Sequence, residues 1–270
     1  MYPVIALFMA QPPPSHRHTL RRGSENPTTI HIQQGSAGGH GKDVWNGAPV
    51  LARFLEGEQL HGRRVLELGA GTGLTGIAAA ALGAHVLLTD IGEPLLELLR
   101  ANCAANAESV RLAGGSMQVQ ALEWGDLDSI ELAQAHLSGR SGADAPYDLI
   151  IGADVVYTAE ATGKLLSTLA SERLCSRDTK VVLAFPPARA AALSFMSSFR
   201  DKFEVERILD EFGNEVVEEL AEGAPMGIYL PLQYNAKANA QAQTAEPIPE
   251  GEGLQTRCFH IHVLVGKLKG

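Results

Sequence analysis

Cysteine, basic charge and long apolar runs are what this sequence has little of. The three cysteines, Cys103, Cys175 and Cys258, are too few and too scattered for a disulfide frame. They fit buried thiols in a reducing compartment, and a cytoplasmic location is expected. Lys and Arg number 22 against 31 Asp and Glu, a formal net charge of −9. Nucleic-acid binding needs a basic face, so that class is set aside, and a basic partner suits the charge better. No apolar run approaches the ~20 residues of a membrane span. Metal-ligating clusters are scarce too. His16 and His18 stand in a polar leader, and Cys258, His260 and His262 alternate near the end with no second ligand group. No metal site is expected.

What the sequence does have is a globular composition, 45% hydrophobic and 20% charged over 270 residues, enough for one α/β domain with a sizeable core. Its organising stretch is 65–90. Val65 to Leu68 is a short apolar run that stops at Gly69. Gly69, Gly71 and Gly73 alternate, an Ala-rich run follows, and Ala84 to Thr89 is a second apolar run ending in Asp90. Strand, glycine turn, helix, strand and acid make one βαβ unit. The glycines let a ligand approach the backbone, and a carboxylate at a strand tip suits two ribose hydroxyls.

In chain order, residues 1–28 are expected to be a disordered leader, because the basic, proline-rich stretch around Pro12 to Arg22 has no core pattern. An Arg-rich, acid-poor leader also has the look of an organelle-targeting segment. Thr29 to Gln33 fits a short strand, and Gly35 to Gly41 a hinge. Asp43 stands as N-cap of a helix through Leu55, with Trp45 at its start. Further helices are predicted over Pro94 to Ala105, over Ala161 to Leu174 and through Met196. Strands are predicted over Met117–Leu122, Tyr147–Ile151, Lys180–Phe185, Phe203–Leu209 and Phe259–Val265. Residues 235–253 are low in large apolar side chains and are expected to be a disordered insertion within a domain running from 29 to 270.

Two ligands compete for the glycine turn. Gly71, Gly73 and Gly76 fit G-x-G-x-x-G, and Asp90 lies near the spacing of a dinucleotide site. Three details favour S-adenosylmethionine. Glu67 falls inside the strand, placed to reach a ligand amine. The turn has the tight spelling Gly69-Ala70-Gly71-Thr72-Gly73. Asp154-Val155-Val156-Tyr157 follows the fourth strand, where hydride transfer has no use for such a pair.

Val44-Trp45, ELGAGTGL, LLTD, EWG and GADVVY, in this order, resemble the seven-strand (class I) methyltransferases. Within those, the chain resembles the protein-lysine group called family 16, the methyltransferase-like 21 branch. The resemblance covers about residues 29–209 and, less closely, the last strand. It implies a Rossmann-like α/β fold, a seven-stranded and mostly parallel sheet with helices on both faces and the last strand antiparallel. It implies S-adenosylmethionine lined by Trp45, cradled by Gly69, Ala70 and Gly71, held through the ribose by Asp90, and bordered by Trp124 at the adenine and Ala153 at the methionine end. It makes Asp154 and Tyr157 the catalytic pair at the substrate entrance. The implied reaction is methylation of a lysine on a non-histone protein, with chaperones and translation elongation factors as substrate classes; separately, a monomer is expected. A small-molecule N-methyltransferase shares the cofactor motifs, and a silent cofactor-binding module keeps the fold. Asp154 raises the pKa of a nearby amine, so positioning rather than base catalysis is expected of it, with a cap on the following helix as the alternative.

Overall fold

The computed structural model describes residues 15–21, 27–35, 40–135, 146–216 and 261–269. Its centre is a seven-stranded sheet. In chain order the strands are β3 (Arg64–Leu68), β4 (His85–Asp90), β5 (Ser116–Ala121), β6 (Leu149–Ala153), β7 (Lys180–Phe185), β8 (Phe203–Leu209) and β9 (His262–Leu268). Their spatial order is β5-β4-β3-β6-β7-β9-β8. The pairs from β5 to β7 are parallel, whereas β9 runs antiparallel between β7 and β8. The expected sheet, with its last strand reversed, is therefore present.

The inner strands β3, β4, β6 and β7 are buried on both faces and are near-continuous apolar runs, whereas β5 and β8 carry exposed polar side chains. One face carries α1 (Gly47–Leu55), α2 (Leu74–Ala81) and α3 (Glu93–Leu112) over a core that includes Leu51, Ile77, Leu99 and Val265. The other carries α4 (Leu127–Ala135), α5 (Ala159–Leu169) and α6 (Ala190–Lys202) over Ile150, Leu165, Phe195 and Leu264. α2 is buried along its whole length, which its alanines allow. It can therefore lie close against the strands that flank the glycine turn.

Part of the expected leader is ordered. Ser15–Leu20 is β1, paired antiparallel with β2 (Thr28–Gln33) in a separate two-stranded sheet. The disorder expected of 1–28 is thus incorrect for 15–20, while 1–14 and 22–26 lie outside the described residues. The pattern was hidden because β1's partly buried positions carry His16 and His18, with Leu20 alone apolar. The second edge of β2 is covered by a helix. Asn102 on α3 accepts from Gln33 N at 2.8 Å and donates to Gln33 O at 3.0 Å. Asn106 does the same for His31, at 2.9 and 2.8 Å. Four residues along a helix advance about 6 Å and two along a strand about 6.8 Å, so the two amides match alternate peptides and stand in for a strand.

Other boundaries differ. α1 begins at Gly47, not at Val44, and Asp43 is not its cap. α3 runs on to Leu112 because Asn106 and Val110 extend its buried face. α4 has little apolar contrast and went unpredicted. β9 starts at His262, three residues later than the expected Phe259. Cys258, His260 and the 235–253 segment lie outside the described residues. Cys103 and Cys175 are buried free thiols, pushed by burial to about 12 and about 11.

Candidate active site

The carboxyl ends of β3, β4, β5 and β6 open onto one edge of the sheet, where parallel α/β folds hold their ligands. β3 ends in the glycine turn. Gly69 has φ +65° and Gly71 φ +55°, a region that suits glycine. A Cβ on Gly69 would stand 2.8 Å from Val155 Cγ1 and 3.0 Å from Trp124 Cζ2; one on Gly71 would stand 2.9 Å from the Gly41 carbonyl oxygen. The turn is therefore threaded between the loops after β5 and β6 on one side and the segment before α1 on the other. Ala70 is buried, and its N–H donates to Thr89 O at 2.9 Å.

Asp90 ends β4. Its Oδ2 accepts from Gly71 N at 2.7 Å and its Oδ1 from Ile91 N at 2.7 Å. The acid thus locks the turn and keeps a second lone pair on each oxygen for a ligand. Burial holds its pKa above the ordinary carboxylate value, against the pull of those two N–H groups.

Glu67 is not a ligand-facing acid. Only 2% exposed, it turns under α2, where Oε2 accepts from Gly76 N at 3.0 Å. Alternation along β3 places it on the α2 face with Val65, and Leu66 and Leu68 on the other. Burial, and secondarily the charge of Asp90, raise its pKa to about 8 despite the Gly76 N–H. The expectation that it reaches a ligand amine is corrected on this geometry.

Trp124 follows β5 and meets Tyr157, which follows β6, with ring centres 6.0 Å apart and planes tilted by 47°. Tyr157 is 54% exposed. Its hydroxyl is pushed above the usual phenol value by burial and then by the charge of Asp90. Ala153, half-buried, closes β6.

Asp154 comes next, with φ +59°, the one left-handed non-glycine among the described residues. Its N–H donates to Ala184 O at 2.7 Å. Oδ2 accepts from Gly47 N, the first residue of α1, at 2.6 Å. Oδ1 accepts from Arg189 Nη2 at 2.9 Å, and the carboxylate side chain is 6% exposed. Arg189 Nη1 also donates to Asp154 O and Val156 O, both at 3.1 Å. Burial raises the Asp154 pKa, while Gly47 N–H and Arg189 lower it. The expected alternative, a cap on the next helix, places Asp154 on the wrong helix. Thr158 caps α5 through its hydroxyl, which accepts from Ala161 N at 3.2 Å, and Asp154 caps α1 instead. Arg189 lies 5.7 Å from the ring centre of Trp45, which is 43% exposed.

The sheet edge thus brings together Gly69, Ala70, Gly71, Asp90, Trp124, Ala153, Asp154, Tyr157 and Trp45, and leaves Glu67 behind the turn. Sequence reasoning missed Arg189 and Gly47. Arg189 follows a strand at the same edge as the others, and that position was its available signal. Gly47 is legible only in three dimensions, since a Cβ there would stand 2.5 Å from Asp154 Oδ2.

A family model described as lysine methyltransferase matches residues 24–202. The chain belongs to the lysine methyltransferase family. It is 42% identical over 167 residues to Protein N-lysine methyltransferase METTL21A of Danio rerio, covering 61% of this chain and 69% of that one. It is 35% identical over 164 residues to EEF1A lysine methyltransferase 3 of Xenopus tropicalis, covering 60% and 64%. A solved structure of SMU.776, complexed with SAH, superposes with a TM-score of 0.52 at 15% identity, over 88% of this chain and 53% of that one, a likeness of fold. The family is one of S-adenosylmethionine-dependent protein-lysine methyltransferases, and this chain is such an enzyme.

Proposed function

We propose that the enzyme methylates a surface lysine of a non-histone protein of the elongation-factor or chaperone class, acting as a cytoplasmic monomer. The observation that carries a protein substrate is the exposure of the mouth. Trp45, Ile91 and Tyr157 are 43%, 57% and 54% exposed around a tightly locked glycine turn. An apolar rim open to this degree suits a partner surface better than a small molecule, which is usually enclosed. Charge agrees: whereas Glu93 and Glu160 at this edge are paired with Arg100 and Lys164, Asp43, Glu123, Asp126 and Asp128 stand exposed in its loops and helix starts. They favour a basic, lysine-bearing surface. The named target of one relative, EEF1A, is consistent with the elongation-factor class.

The residues present fit the cofactor. Asp90 keeps two lone pairs for the ribose hydroxyls, Gly71 holds that carboxylate in place, and Trp124 packs directly on Gly69 as a wall for the adenine. When bound, S-adenosylmethionine supplies a methyl group already activated by its sulfonium. The chain's task is to align an acceptor, exclude water and let the lysine be neutral. Trp45, Trp124 and Tyr157 disfavour a charged amine by desolvation. Tyr157 stays protonated at neutral pH and is no base. Asp154 is already paired, so it does not draw lysine in as a bare charge. Paired with Arg189 it fixes the entrance by holding the start of α1, and the guanidinium offsets the upward pull of the carboxylate on the amine pKa.

Incubation with methyl-labelled cofactor and a size-fractionated lysate tests the proposal. Label on a protein band supports it. Label on small molecules supports a small-molecule N-methyltransferase, and no label supports a silent binding module.

A further inference from the structure

Asn102 touches the glycine turn as well as the hairpin. Its Nδ2 donates to Thr72 O at 2.9 Å and to Gln33 O at 3.0 Å, while Oδ1 accepts from Gln33 N. The side chain is wholly buried, and so is Thr72. Thr72 lies between Gly71 and Gly73, both at positive φ, the one bonded to Asp90 and the other preceding α2. A carbonyl at that point, buried and without a partner, would turn its peptide until it found one. Turning it would swing the Gly73 N–H, which shares that peptide, off Ala70 O, to which it donates at 2.8 Å, and so open the turn whose Gly71 N–H is held by Asp90. Asn106 repeats the clasp on His31 one turn further along α3, but its remaining bond goes to Asn102 O, not to the turn.

We infer that Asn102 is a positioning residue for S-adenosylmethionine. It holds the Thr72 peptide so that the turn and Asp90 present one fixed cradle, and it couples that cradle to the β1–β2 hairpin. Asn106 is only a clasp for the hairpin. The pair therefore contains its own control: two asparagines with equivalent hairpin contacts, of which one reaches the cofactor turn. By reciprocity of coupling, a ligand that settles the turn also settles the hairpin edge bonded to Asn102. The inference rests on the reading that this turn holds S-adenosylmethionine.

The test is calorimetry of S-adenosylmethionine on the full chain with Asn102→Ala and Asn106→Ala, beside thermal melts. Both variants should melt lower to a similar degree. Asn102→Ala should bind the cofactor about tenfold more weakly, and Asn106→Ala should bind it as wild type does. In turnover, Asn102→Ala should raise the KM for cofactor and leave the KM for the protein substrate unchanged. Equal cofactor affinity in the two variants would overturn the inference. Wild-type protein that binds no S-adenosylmethionine would overturn the reading of the turn itself, and the inference with it. Should Asn102→Ala fail to fold, hydrogen exchange on the wild type decides. Adding S-adenosylhomocysteine should slow exchange of the Gln33 amide, and an unchanged Gln33 amide in the saturated protein would overturn the coupling.

Discussion

Asp154 and Arg189 form a part-buried ion pair at the mouth of the site, 2.9 Å from Oδ1 to Nη2, and the other carboxylate oxygen caps α1 through Gly47. Neither half is free to change alone. Arg189→Gln leaves a carboxylate with a 6% exposed side chain and no cation; removing one member of a fully buried pair costs about 3–5 kcal/mol, and the 23% exposure of Arg189 puts the loss below that range. Thermal melts should show that loss. Asp154→Asn keeps the shape but not the pairing, and turnover on the protein substrate should fall while calorimetry shows cofactor affinity within a few-fold of wild type. A variant that loses the cofactor first would move Asp154 to the cofactor side.

Asp90 is predicted to act on the cofactor twice, through its ribose contacts and through the Gly71 N–H by which it holds the turn. Asp90→Ala removes the acceptor for two hydroxyls, each charge-assisted bond contributing about 1.5–3 kcal/mol. Calorimetry should show affinity for S-adenosylmethionine weaker by tenfold or more, on the scale of about 1.4 kcal/mol per factor of ten.

The glycine turn makes a steric prediction. Gly71→Ala places a Cβ 2.9 Å from the Gly41 oxygen at φ +55°. The left-handed backbone alone costs a side chain about 1–2 kcal/mol. Cofactor binding should fall with stability, because relief of the clash must displace the Gly41 segment or release Asp90.

Glu67 predicts a pH dependence of stability. Its native pKa of about 8 exceeds the ordinary 4.5. Between those values the native state keeps the proton and the unfolded chain releases it. Stability is therefore present at low pH and lost as pH rises through this window, by up to about 1.4 kcal/mol per unit. Glu67→Gln retains an acceptor for Gly76 N–H and removes the titration. Melting temperatures taken across the window should fall for wild type, relative to the variant, as pH rises. Parallel curves would contradict the buried, protonated acid.

The sheet and the turn were legible in the sequence because they depend on local signals, continuous apolar runs and alternating glycines. Asp90 was legible for the same reason, lying at the tip of a strand. β1 was not, since His16 and His18 occupy inward positions where a periodicity reading looks for aliphatic side chains. Glu67 was misjudged because sequence gives its distance from the glycines but not its face of the strand. Asp154 was placed at the right edge with the wrong partners. Its helix, α1, lies 107 positions back at Gly47, and its counter-ion 35 ahead at Arg189. Asn102 falls inside the helix predicted over Pro94 to Ala105, with nothing local to single it out. Its two-sided bonding to Gln33 and Thr72 is a tertiary fact without a local trace.

Methyl transfer to a protein lysine is proposed to take place at the mouth formed by Trp45, Asp154 and Tyr157. The most direct measurement is tandem mass spectrometry of the protein band labelled by the wild-type enzyme and labelled cofactor. Wild type should place the methyl on a lysine ε-amine, Asp90→Ala should lose the label through cofactor affinity, and Asp154→Asn should lose it at saturating cofactor. Label on another residue type or on small molecules, or full labelling by Asp154→Asn, would contradict the account.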